Sequence, residues 1–343
     1  MSQLISHKSL EALLSEQLAL GVDVVAPVLV TPGLPLYRHM PPGSADILVR
    51  GFSSNGFVRP RNSIKDFLFP RHETLMTYRL SAHDVDLHEA PLPEQPLLVL
   101  GAHPCDAAAL PILDHVFHWD CTDAAYEQRR ALTTVVTLAC TTHDDACFCT
   151  SVGLGPAAEA GSDALLLPLD DDTYEVRPLT DKGAALFRGK METSERIAEV
   201  PRGPETLVDP EWMRTHAAEH FEDTVWAEIS ARCLGCGVCA YTCPTCHCFD
   251  IVDEGNAAGG CRVRNWDSCQ FCLFTEHASG HNPRSKQSQR QRQRVFHKFH
   301  IYPERFGAIL CTGCGNCGRN CPAGLGMLNT LLELSEAAGM EQP

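Results

Sequence analysis

Two cysteine runs of identical spacing constrain this chain more than any other feature. They read Cys233-x-x-Cys236-x-x-Cys239-x-x-x-Cys243-Pro244 and Cys311-x-x-Cys314-x-x-Cys317-x-x-x-Cys321-Pro322. Each matches the run that binds a [4Fe–4S] cluster in two-cluster ferredoxins, where the fourth cysteine of each run serves the other cluster. The x-x spacing wraps three thiolates around one face of a cube. The x-x-x-Cys-Pro step then carries the fourth sulfur out of reach of the same iron. Crossing predicts one cluster on Cys233, Cys236, Cys239 and Cys321, and another on Cys311, Cys314, Cys317 and Cys243. Cys243 and Cys311, 68 positions apart, are thereby tied into one unit. A single run would fit a zinc site equally well; two identical runs, each closed by proline, fit two [4Fe–4S] clusters.

The rest of the chain is long enough to form a second domain. It has 343 residues, at roughly 150 per domain, and 44% of them are hydrophobic, which is ordinary for a folded core. No apolar stretch approaches the length of a membrane helix. Met1 to Lys8 lacks the charged start and apolar core of a secretory signal. The expectation is a cytoplasmic protein without a membrane anchor. Eighteen cysteines clustered at ligand spacing then point to metal rather than disulfides. A formal charge of −15 argues against general nucleic-acid binding.

Hydrophobic periodicity organises the N-terminal half. Leu10, Leu13, Leu14 and Leu18 predict an amphipathic helix over residues 6–20. The following 70 residues are broken by Pro and Gly, with short extended pieces such as Ile47-Leu48-Val49. Leu97–Leu100, Thr134–Leu138 and Ala164–Leu167 read as buried strands, with a further β-like piece at Tyr174–Val176. Ala107 to Phe117 reads as a helix with Pro104 near its first turn. The fold class is α+β: a mixed α/β domain over residues 1–190, a polar linker at 191–210, and a dicluster domain over 211–335 that ends in a Leu-rich helix.

The first domain has its own thiols. Cys105 and Cys140 directly follow predicted strands, where an open α/β sheet places ligand contacts. Cys105 also begins a helix, whose dipole is expected to favour thiolate. Cys147-Phe148-Cys149 adds two more sulfurs. A third iron–sulfur site on Cys105, Cys140, Cys147 and Cys149 is one reading, with zinc as the lesser metal alternative. Small buried hydrophobes are the other reading, and Cys121 fits that best. Cys246, Cys248, Cys261, Cys269 and Cys272 lie beyond the first run. They read as neighbours that tune a cluster, with Cys269 as a substitute ligand in the sharper alternative. Residues 284–300 form the one concentrated basic segment. It reads as a solvated face, a nucleic-acid patch, a docking surface, or a positive environment that raises the potential of an adjacent cluster, with a structured segment at a subunit interface favoured. No dinucleotide fingerprint, phosphate loop, Ser-His-Asp set or H-E-x-x-H helix appears.

These residues carry a resemblance to a known family. Gly101-Ala102-His103-Pro104-Cys105-Asp106, Cys147-Phe148-Cys149, Cys243-Pro244-Thr245-Cys246, Arg262 through Cys269 and Gly280-His281-Asn282-Pro283-Arg284 together resemble two related subunits. One is the β subunit of cytosolic multi-subunit nickel–iron hydrogenases of the sulfhydrogenase type, and the other is the A subunit of anaerobic sulfite reductase. The departure is His103, where family members commonly have Arg. The resemblance implies a mostly helical, ferredoxin-like dicluster region with an insertion at 247–308. It also implies an electron-transfer subunit working between a flavin-containing, NAD(P)H-linked subunit and a catalytic hydrogenase or sulfite reductase subunit. Two other function classes remain open on the residues alone: an independent redox enzyme with its site near Cys105 and Cys147, and an iron–sulfur sensor.

Overall fold

Short apolar runs with β-branched residues form the centre of the first layer in the computed structural model, which describes residues 1–41, 59–216 and 219–339. The extended piece expected at Ile47–Val49 lies outside the described residues. The strands are β1 (Ser2–Ser6), β2 (Asp23–Thr31), β3 (Leu34–His39), β4 (His72–Leu80), β5 (Val85–Glu89), β6 (Leu97–Ala102), β7 (Thr133–Leu138), β8 (Ala164–Pro168), β9 (Thr173–Pro178), β10 (Glu192–Ser194), β11 (Phe249–Asn256) and β12 (Gly259–Trp266). Eight of them form one sheet in the order β10-β1-β9-β8-β7-β6-β2-β3. The β2-β6-β7-β8 centre is parallel. Parallel strands are buried on both faces, which is why β6 reads as an unbroken apolar run.

Helices cover the two faces of this sheet. Helix α1 (His7–Ala19) starts where the Ser6 side chain accepts a hydrogen bond from the Ser9 N–H. It packs Leu10, Leu13 and Leu14 against Val24, Leu98, Leu100 and Val136. On the opposite face, α2 (Ala109–Phe117) sets Leu110, Leu113 and Phe117 against Val99 and Val135. The single helix expected over 107–117 is split: Pro104–Ala107 forms one turn and α2 begins after Ala108. Residues 191–210 supply β10, which pairs with β1 at the sheet edge, and the buried Ala198.

The second sheet, β11-β12-β4-β5, draws strands from both halves of the chain. The β11–β12 hairpin belongs to the insertion between the cysteine runs, so that insertion is not wholly helical. It joins β4 through β12. Trp266, at the end of β12, is buried against Phe69, and its Nε1 donates to the Phe69 carbonyl at 3.1 Å. Arg264 anchors the same strand. Its guanidinium is buried and donates to the carboxylates of Glu73 and Asp123.

The remaining core gathers α3 (Gln287–Phe296) and α4 (Met327–Ala337) with the helix Val225–Ser230. Trp226, Ile229, Val295, Phe296, Leu328 and Leu331 meet there, and Phe148 joins them from the first domain. Among the described residues no helix is long and apolar enough to cross a membrane. Removing one partner of a buried charge pair leaves the other uncompensated, at about 3–5 kcal/mol. Arg264→Ala should therefore lower the denaturation midpoint markedly. Arg262→Ala, whose partner Asp253 stands in solvent, should leave it nearly unchanged.

Candidate metal centres

The first cysteine run curls because Gly235 and Gly237 adopt φ of +67° and +75°, a region that L side chains avoid. Cys233, Cys236 and Cys239 then line a cavity whose walls also carry Cys321 and Pro322. These are the four thiols that crossing of the runs predicts together. Gln287 Nε2 donates to Cys233 Sγ at 3.1 Å, and the Leu325 N–H donates to Cys321 Sγ at 3.3 Å. Arg294 also lines the cavity and is buried. Its Nη1 reaches the Leu325 carbonyl at 3.3 Å, whereas its buried Nη2 has no hydrogen-bond partner among the described residues. Burial pushes the Cys239 thiol up to about 12, against the pull of Arg294. An orphaned guanidinium N–H beside four thiols fits an anionic metal–thiolate group.

The second run forms the next group. Cys311 and Cys314 both feel the charge of Cys243 and Cys317, the other two thiols of the predicted crossed set. The Met327 N–H donates to Cys317 Sγ at 3.2 Å. Lys298 Nζ is buried and donates to Thr245 Oγ1 at 3.0 Å, to the Leu310 carbonyl at 2.8 Å and to Cys243 Sγ at 3.5 Å. Burial pulls the Lys298 ammonium down, but thiolates at Cys243, Cys246 and Cys311 outweigh it and hold its pKa well above the ordinary value. A hydrogen bond from Cys246, aided by Lys298, holds the Cys243 thiol well below its usual range.

The N-terminal thiols meet in a third place. Cys105 at the end of β6 and Cys140 after β7 line a cavity with Cys147, Cys149 and Cys314. Both strand ends are carboxyl ends, where an open α/β sheet gathers ligands. His103 Nδ1 lies 3.3 Å from Cys140 Sγ, and Arg319 Nη2 donates to Cys147 Sγ at 3.0 Å. Arg319 is itself held by Asp144 at 2.7 Å. The helix dipole expected to lower the Cys105 pKa does not win: that helix is one turn long, and burial pushes the thiol well up. Asp106 beside it is pushed up to about 7, chiefly by burial, against hydrogen bonds from Tyr37 and Ser63. Cys121 is exposed and stands outside the cavity.

This third site is locked onto the second run. A Cβ on Gly313 would lie 2.5 Å from the Cys149 backbone, and Gly315 packs equally hard on the Ala146 carbonyl. The Phe148 N–H donates to the Gly313 carbonyl at 3.0 Å. Among the described residues no three His, Cys, Asp or Glu side chains come close enough to share one metal ion. The first and third sets line cavities rather than a single-ion coordination sphere.

Cys246, Cys248 and Cys269 occupy the space between these groups. Cys246 hydrogen-bonds Cys243, and Cys248 hydrogen-bonds Cys269. Lys65, buried with its Nζ 3.7 Å over the Trp266 ring, donates to the Cys246 carbonyl at 2.9 Å. Cys261 lies in β12 and Cys272 is exposed. Lys65, Gln287 and Arg319 are partners that the sequence reading missed. The basic segment turns inward: Arg290, Arg294 and Lys298, four residues apart, are buried along one helical face. Arg292 points elsewhere, to the Phe221 carbonyl and Glu222. Gly313→Ala should release about four or more irons per chain, measured by iron and sulfide analysis. Gly324→Ala has a similarly positive φ but open space around it, and should retain them.

Comparison with known proteins bears on the two cysteine runs and on the family. Residues 232–325 match the 4Fe–4S dicluster domain family. Sulfhydrogenase 2 subunit beta of Pyrococcus furiosus is 30% identical over 252 residues, which cover 70% of this chain and 74% of that relative. No solved structure matches the chain. Identity at that level over that much of both chains, joined to the dicluster domain, places the protein in the sulfhydrogenase subunit beta family.

Proposed function

We propose that this chain is the iron–sulfur electron-relay subunit of a multi-subunit redox complex. It would work between a flavin-containing, NAD(P)H-linked subunit and a catalytic subunit of the hydrogenase or sulfite reductase kind. Cys233, Cys236, Cys239 and Cys321 would hold one [4Fe–4S] cluster, and Cys243, Cys311, Cys314 and Cys317 the second. Cys105, Cys140, Cys147 and Cys149 would hold a third. Such clusters supply one-electron transfer without bond rearrangement, at potentials set by local charge, hydrogen bonds to sulfur and solvent exposure.

The observation that carries this reading is continuity. Cys239 of the first group feels the charge of Cys317 in the second. Cys314 of the second lines the cavity of the third. Three thiol-lined sites in file suit passage of electrons along the chain better than chemistry at one isolated centre. The chain's own residues set the environment. Arg294 and Lys298 bring buried positive charge to the first two sites, and Gln287, Leu325 and Met327 donate hydrogen bonds to sulfur. Arg319 does the same at the third, where His103 Nδ1 also lies beside Cys140 Sγ.

The independent-enzyme reading has one observation in its favour. The third cavity is partly open and has Arg59, Arg202 and His143 in its walls, which would suit an anionic reactant. Two measurements decide between them. The relay with three clusters should contain about twelve irons per chain, and about eight would remove the third cluster. The isolated chain should reduce artificial dyes only; turnover of a natural substrate by it alone would overturn the relay. Lys298→Met should lower the potential of one cluster by about 60 mV in an EPR-monitored redox titration. An unshifted potential with iron intact would refute the role given to that lysine.

A further inference from the structure

The relay needs a place where electrons enter or leave, and one thiol of the two runs reaches the surface. Cys236 is exposed, whereas every other cysteine of the two runs is buried or half-buried. Leu234 beside it is 72% exposed, and Leu273 across from it is 66% exposed. Both line a broad groove that runs past the Cys233 loop. Gln287, which donates to Cys233 Sγ, lines the same groove.

Three carboxylates also line that groove: Asp250, Asp267 and Glu276. None of them pairs with a cation among the described residues. The one cation in the groove wall, Arg290, is fully engaged. Its guanidinium donates to Gln287 Oε1 at 2.6 Å and to the Arg284 and Ser285 carbonyls at 2.9 Å. Asp250 lies on β11, which is the edge of its sheet and presents Phe249 and Ile251 to solvent. An unpaired edge strand with exposed apolar side chains is a surface that proteins normally cover.

We infer that this groove is the electron-exchange face, and that it docks a carrier protein with lysines and arginines around an apolar cofactor edge. The inference rests on the reading that Cys233, Cys236, Cys239 and Cys321 hold a cluster. Unpaired carboxylates steer a cationic partner into place and orient it. Leu234 and Leu273 then exclude water at the contact, so that the partner's cofactor edge meets the loop of Cys236. The negative rim disfavours nucleic acid and acidic carriers on the same ground.

Cytochrome c has this chemistry, a basic ring around an exposed haem edge, and its zinc-substituted form is redox-inert in the dark. Binding of that probe to the iron-loaded chain is measured by fluorescence titration, and the contact is mapped by hydrogen exchange. Affinity should fall as salt rises. It should drop at least about tenfold in the double variant Asp250→Lys with Glu276→Lys. Glu89→Lys with Glu94→Lys makes the same charge change, with Glu89 on the opposite edge strand β5, and should alter affinity less than about twofold. Protection should appear at 249–256 and 271–276. Equal loss from both pairs, or protection elsewhere, would overturn the docking face. Iron analysis of Cys236→Ser separates the two levels: if it loses no iron, the cluster reading fails and this inference fails with it.

Discussion

Backbone contact between two glycines and a neighbouring loop is the constraint on which the candidate sites depend. Gly313 and Gly315 belong to the second cysteine run, and both adopt the left-handed region. Each lies so close to residues 146–149 that no side chain fits between them. The hydrogen bond from Phe148 to Gly313 and the Asp144–Arg319 ion pair close the same seam. One short loop therefore faces two ways. Its cysteines meet Cys243 on one side, and Cys314 looks into the N-terminal cavity on the other.

Buried charge is the second organising element. Lys65, Arg294 and Lys298 are all nearly inaccessible, and Arg290 is close to it. Burying a cation is costly unless hydrogen bonds and opposite charge offset it. Here the offset comes from carbonyl groups and from sulfur: Lys298 contacts the Leu310 carbonyl and Cys243 together. In a chain of net charge −15, Lys65, Arg294 and Lys298 are buried beside thiols. Carboxylates stand unopposed at the groove lined by Leu234 and Gly235 of the first run.

What could be read from the sequence was what local spacing determines. The cysteine runs, α1, β6, β7 and β8 follow from periods and intervals within a few residues, and each stands where expected. The grouping of Cys321 with the first run was also legible, because the same motif occurs twice. Long-range pairing was not. Nothing local to Phe249–Trp266 shows that it forms a hairpin paired to residues 72–80. The glycine contacts with 146–149 depend equally on approach from a distant segment. Of the readings open for the basic segment, the positive environment is the one its buried side chains beside thiols fit. Charge runs are usually solvated, yet its Arg290, Arg294 and Lys298 recur at every fourth residue, the interval of one buried helical face. That period was present in the sequence.

The late position of residues 311–325 bears on how the protein is made. Cys321 closes the first cavity, Cys311 to Cys317 build the second group, and Gly313 with Cys314 walls off the third. On the ribosome, the eight-stranded sheet can form as soon as β10 emerges, well before any cavity has its last wall. Iron delivery to the nascent chain would therefore meet open thiols until this segment has left the exit tunnel. All three sites would then mature together, after synthesis, rather than one by one along the growing chain.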